Sequence, residues 1–177
     1  MTFTLHVDAP QWRAHLREVA DQVAGAGATL VPVVKGNGYG FTAPVLCREA
    51  QQLGVSTVAV GTVHEAHTAL AAFAGDVLVL EPFTPIDTAA LGVWRDVLAH
   101  HGQRTIVTIA GNHLHDAQSA GAQRVRLEGA TPMRRFGMTL AQMDAALRGT
   151  SHALTIEGLS LHLPIAEPEA PAIPSLE

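Results

Sequence analysis

The stretch Val33-Val34-Lys35-Gly36-Asn37-Gly38-Tyr39-Gly40-Phe41 sets a single lysine where an apolar β-run meets a glycine-rich turn. Glycines at 36, 38 and 40 carry no Cβ, so the turn can take φ > 0 and come close to a bound group such as a phosphate. It is not a P-loop, because no Gly-Lys-Ser/Thr follows. Lys35 is a candidate covalent catalyst, since its amine can form a Schiff base with a carbonyl cofactor held over the turn. The structural alternative is a lysine with its stem packed and its amine in solvent.

On both sides of this turn, helical periods alternate with short β-rich runs. Trp12, Leu16, Val19, Ala20 and Val23 recur at helical spacing, with Asp8 placed to cap and Pro10 in the first turn. Leu30 to Val34 follows as a strand, although Pro32 inside it removes a ladder donor. Beyond the turn, Leu46, Ala50 and Leu53 mark a helix, Thr57 to Val60 a strand, and Thr62 with Glu65 a capping box that opens the next helix. Val77 to Leu80, Thr105 to Ile109, Arg124 to Glu128 and Thr155 to Leu161 complete six strands. Between them lie a helix capped by Asp87, a small-residue helix near Leu114 to Ala120, and one opened by the Thr139/Gln142 capping pattern.

Strands separated by single helices need right-handed crossovers and pair in parallel, which is an α/β fold. Chemistry-bearing residues at strand ends favour a (β/α) barrel over an open sheet. A whole barrel takes about 250 residues in eight units, so six units leave this one incomplete. Residues 1–163 read as that partial domain, and residues 164–177, with prolines at 164, 168, 171 and 174, as an extended tail. At the front, Phe3, Leu5 and Val7 alternate with Thr4, His6 and Asp8 in the pattern of a half-buried strand.

Composition narrows the function. The chain has 177 residues, 47% hydrophobic and 15% charged, enough for one sizeable core. A net charge of −5 with only 11 Lys+Arg argues against a nucleic-acid surface, and no basic run suggests an anionic membrane. The first residues have neither a basic nor an apolar leader region, and no apolar run approaches the ~20 residues of a membrane span. These features lead us to expect a cytoplasmic protein acting on small molecules. Cys47 cannot form an internal disulfide and reads as buried filler. His64 and His67 lie one helical turn apart but lack a third ligand, and His113, His115 and Asp116 read as a polar helix entry, so no metal site is expected. His100 and His101 end a helix, where cations suit the dipole.

Three segments in order along the βα series, VVKGNGYG at 33–40, TPMRRFGM at 131–138 and IEGLSLH at 156–162, are similar to motifs of the alanine racemase N-terminal domain. That family belongs to the fold-type III enzymes that use pyridoxal 5′-phosphate (PLP). The resemblance covers nearly the whole chain. It implies a PLP-binding barrel of the TIM type and racemisation of a small amino acid, alanine foremost. It also implies a homodimer, whose second catalytic base, a tyrosine, comes from a C-terminal β-domain beyond these motifs.

Under the resemblance, Lys35 holds PLP as the internal aldimine and acts as one base, a role helped if the amine is buried near other cations. Tyr39 hydrogen-bonds the cofactor phosphate; the alternative is an aromatic lying half-buried over the turn. Arg135 reaches the phenolic oxygen and the substrate carboxylate, with Arg134 the solvated member of the pair. His162 sits beside the pyridine ring, or else simply satisfies a neighbour at a strand end. The lysine that some members carbamylate has no plain counterpart, and Arg126 or Glu128 stands in its region. Two other readings stay open: another fold-type III enzyme, such as a decarboxylase or D-amino-acid aldolase, and a non-catalytic PLP-binding module.

Overall fold

Thr57–Val60 (β1), Asp76–Val79 (β2), Thr105–Ile109 (β3), Arg124–Gly129 (β4) and Thr155–Leu161 (β5) pair in sequential order, every neighbour parallel. This is the arrangement in the computed structural model, which describes residues 6–149 and 154–164. The helices are Ala9–Gly25 (α1), Ala43–Leu53 (α2), Ala66–Ala72 (α3), Thr88–His101 (α4), Leu114–Ser119 (α5) and Leu140–Gly149 (α6). Their starts follow local chemistry. Asp8 accepts from Gln11 N at 3.0 Å to open α1, Asp87 accepts from Ala89 N and Ala90 N at 3.1 and 3.0 Å to open α4, and Gln142 Oε1 accepts from Thr139 N at 2.8 Å before α6.

The strands TVAV, DVLV and TIVTI are apolar almost throughout because parallel strands are covered on both faces. On one face Val58, Val60, Val77, Val79, Val107, Ile109, Val125 and Leu127 pack with Leu70, Trp94, Val97, Leu98 and Met143 of the helices. Burying each such side chain contributes roughly 1.5–3 kcal/mol relative to leaving it exposed. The other face gathers only Ala59, Leu78 and Ile106, with Val31 and Leu80 beside them. This smaller cluster lines the concave side of a barrel that does not close. Among the described residues β5 pairs only with β4, and along it exposed and half-buried residues alternate.

The expected first strand, Leu30 to Val34, is a correction: it shrinks to one bridge between Val33 and Ala59. Ala59 N donates to Pro32 O and Val34 N to Ala59 O, both at 2.8 Å. One step toward the N-terminus, the parallel ladder would need a donor from residue 32, and proline has none. The described sheet therefore has five strands plus this bridge, in place of six strands.

Two arginines latch the N-terminal pole of the sheet. Arg104 donates to Gly75 O and Phe73 O, and Arg124 pairs with Asp76 at 2.6 Å, with Glu157, and with Gln103 O at 2.8 Å. That pole is stabilised by ion pairs and carbonyl contacts, which leaves the C-terminal pole for chemistry. Of the expected front strand, Phe3 to Leu5 lie outside the described residues, and His6 and Val7 are in neither helix nor strand. The expected tail lies outside them too, from 165 onward. Among the described residues no helix is long and apolar enough to cross a membrane.

Candidate active site

A hollow of about 440 Å³ opens at the C-terminal ends of the strands, lined by Lys35, Gly36, Gly61, Thr62, Glu65, Leu80, Glu81, Arg135, Phe136 and His162. Lys35 follows the single bridge, Gly61 and Thr62 follow β1, Leu80 and Glu81 follow β2, Arg135 and Phe136 sit on the β4–α6 loop, and His162 follows β5. This is where a (β/α) barrel carries its chemistry, because the loops there are free to vary above a rigid sheet.

The lysine turn is held by backbone geometry and one carboxylate. Asn37, Gly38 and Tyr39 all take left-handed angles, with φ of 56°, 55° and 55°. A Cβ at Gly38 would push on the side-chain tip of Leu46 in α2, so a larger residue there requires that leucine to move. At the base of the turn, Glu65 Oε1 accepts from Gly36 N at 2.6 Å, and its Oε2 accepts from Gly61 N at 2.8 Å and Thr62 N at 2.9 Å. Sequence reasoning saw Glu65 only as a capping-box residue. Nothing in periodicity reveals that the same carboxylate crosses to Gly36. Lys35 is exposed at the mouth of the hollow, so the burial that would help its amine lose a proton is not provided by the described residues.

Arg135 reaches the hollow because its loop is pinned at both ends. Met138 N donates to Glu128 O at 2.7 Å and Ala130 N to Met138 O at 2.9 Å, which folds residues 130–138 back onto the end of β4. Met138 is buried as the anchor. Thr131 Oγ1 donates to His162 O at 2.7 Å, and Arg135 Nη2 lies 3.3 Å from His162 Nδ1, with the guanidinium also over the Phe136 ring. Arg134 is exposed, takes φ of 52° and does not line the hollow.

Behind this cluster Glu128 is 4% exposed, and its Oε1 has no hydrogen-bond partner among the described residues; the same holds for Arg126 Nε, two residues earlier on the same strand. Burial pushes the Glu128 carboxyl above the usual carboxylate range, against the opposing pull of His162 and Arg135.

Tyr39 does not join Arg135 and His162. Its side chain is fully exposed, and it lines a second hollow with Trp12, Val33, Phe41 and Leu46, which shares Lys35 and Gly36 with the first but not Arg135 or His162. The alternative of an aromatic lying half-buried over the turn does not hold, since the ring is in solvent. Of the four candidate residues, three share one hollow. His64 does not line it, His67 Nε2 pairs with Asp96 at 2.9 Å, and His113 with Asp116 at 3.2 Å. Among the described residues no group of three or more His, Cys, Asp or Glu could hold a metal ion.

Comparison with known proteins adds to this geometry. The family described as "Alanine racemase, N-terminal domain" matches residues 7–174. Among solved structures, the alanine racemase from Streptomyces coelicolor A3(2) is 25% identical with a TM-score of 0.68, covering 90% of this chain and 43% of that one. The biosynthetic alanine racemase from Pseudomonas aeruginosa is 26% identical with a TM-score of 0.67, covering 86% and 42%. The alanine racemase from Bartonella henselae with covalently bound pyridoxal phosphate shares the fold at 20% identity and a TM-score of 0.67, covering 85% and 44%. The chain therefore spans less than half the length of these structures. No curated protein matched in sequence.

Proposed function

Because the chain belongs to the alanine racemase N-terminal domain family, we propose that its strand-end hollow holds PLP on Lys35 and serves the racemisation of a small amino acid, alanine foremost. The observation that carries this reading is that Lys35, Arg135 and His162, from three separate strand ends, line one hollow.

The donor set fits the group. An amine suits condensation with the aldehyde, a guanidinium fork suits carboxylate or phenolic oxygens, and about 440 Å³ is within the roughly 300–1,000 Å³ of small-molecule sites. When bound, PLP supplies an electron sink for the charge left as the substrate's α-proton departs. Lys35 Nζ holds the cofactor and takes or returns that proton on one face. Arg135 holds the substrate carboxylate, and His162, joined to it, orients the guanidinium.

Racemisation needs a second base on the opposite face. The chain has one tyrosine, Tyr39, and it is outside the hollow. The isolated chain should therefore bind PLP weakly and racemise alanine poorly or not at all, with the active assembly a homodimer that completes the site. A second reading, a non-catalytic PLP-binding module, draws on the full exposure of Tyr39.

The test is a PLP titration followed by visible absorbance and borohydride reduction, in wild type and Lys35→Ala. A reduced adduct in wild type that Lys35→Ala abolishes supports the reading, and no wild-type adduct sinks it. Exchange of the alanine α-proton in D2O then separates the enzyme from the module, which would form the adduct without exchange.

A further inference from the structure

The pairing of residues 31–35 with β1 is interrupted on both sides of its one bridge. Below it, Pro32 lacks the donor. Above it, the next parallel step would join Gly36 N to Gly61 O and Gly61 N to Val34 O. Neither bond is made: both N–H groups donate to the two oxygens of Glu65, at 2.6 and 2.8 Å, while Gly61 O accepts from Glu81 N at 2.8 Å. The lysine stem runs over the same point, since a Cβ built on Gly61 would lie 3.2 Å from Lys35 Cβ, 3.4 Å from Lys35 Cδ and 2.9 Å from Glu65 Oε2.

We propose that Glu65 is the positioning residue for Lys35: its carboxylate replaces the missing ladder step, holds the two strands apart at the hollow, and sets the lysine stem over Gly61. Glu65 also lines the hollow. A charged acceptor shared by three backbone donors is a strong, geometrically fixed contact. The inference rests on Lys35 being the amine that takes PLP.

The experiment uses the full chain, whose only lysine is Lys35, so amine labelling beyond the N-terminus reports that residue alone. Wild type, Glu65→Gln and Gly61→Ala are compared for PLP capture by borohydride, for acetylation by acetic anhydride, and for hydrogen exchange at the Gly36 amide. Glu65→Gln places a donor against the backbone donors. Gly61→Ala keeps Glu65 but forces a methyl between its carboxylate and the lysine stem. Both are expected to lower PLP capture about tenfold or more while leaving acetylation unchanged, and Glu65→Gln should also speed Gly36 exchange. Capture at the wild-type level in both variants overturns the proposal. If wild type captures no PLP, the cofactor reading fails separately and Gly36 exchange decides: protection lost in Glu65→Gln keeps Glu65 as the strand clamp, and none in wild type overturns it. The wild-type exchange measurement also decides if a variant does not fold.

Discussion

Arg135 Nη2 and His162 Nδ1 stand 3.3 Å apart, joining the β4–α6 loop to the end of β5. A guanidinium can only donate, so Nδ1 must accept in this contact and the ring carries its proton on Nε2. Thr131, on the same loop, donates to the His162 carbonyl at 2.7 Å. The loop thus grips His162 by ring and backbone together, which fixes where the guanidinium sits.

If that fork holds the cofactor and substrate carboxylate, Arg135→Ala should weaken PLP retention about tenfold, the loss of one charge-assisted hydrogen bond. Arg134→Ala should change it little, because Arg134 is exposed and does not line the hollow. A spectrophotometric PLP titration of both variants checks this. Equal losses would mean that net charge, and not the placement of Arg135, governs binding.

Glu128 gives the stability a pH dependence. Burial raises its carboxyl above the unfolded value of about 4.3. In the interval between the two values the folded chain binds more protons than the unfolded one, so stability falls as pH rises. Below about 4.3 the group carries no penalty; above its raised folded value the loss is complete. Glu128→Gln should flatten that slope and raise stability at neutral pH by about 1 kcal/mol. Urea unfolding at several pH values measures it.

Most of the sheet was legible because parallel strands announce themselves. Thr57–Val60, Thr105–Ile109 and Thr155–Leu161 lie where apolar runs bounded by turn signals place them, and Asp8 and Asp87 cap as their positions imply. The first strand was misread because Val31, Val33 and Val34 outweigh one proline in a pattern count, whereas one missing donor is enough to end a ladder. At the site, motif likeness located Lys35, Arg135 and His162. It could not supply the exposure of Tyr39, which follows from three successive left-handed residues. Glu65 and Glu128 escaped for another reason: their roles depend on contacts between segments far apart in the chain.

The edge of β5 presents apolar side chains to water. Leu159, Leu161 and Leu163 are 59%, 59% and 62% exposed, beside a row of backbone groups that no further strand among the described residues covers. Such an edge promotes self-association. The isolated chain should therefore show a concentration-dependent mass in sedimentation, and Leu161→Lys should shift it toward the monomer. A monomeric wild type at high concentration would show that the edge is harmless.

Gly137 tests whether the Arg135 loop is built by close backbone approach. Its φ is +124°, and a Cβ there would overlap Ala130 N and the Gly129 carbonyl, the groups that the returning chain crosses to place Met138 against β4. An alanine must take an unfavourable angle and also push the loop away from the strand end. The expected cost is at least about 2 kcal/mol, a drop of about 5 °C in Tm for a chain of this size. PLP binding should weaken with it, because Arg135 moves with the loop. Gly92 in α4 is the internal comparison: a Cβ there meets nothing within 4 Å, so Gly92→Ala should raise stability by roughly 0.5–1 kcal/mol through helix propensity. Thermal unfolding of the two variants side by side separates the mechanisms. A Gly137→Ala chain as stable as wild type would mean that the loop does not depend on this contact for its place.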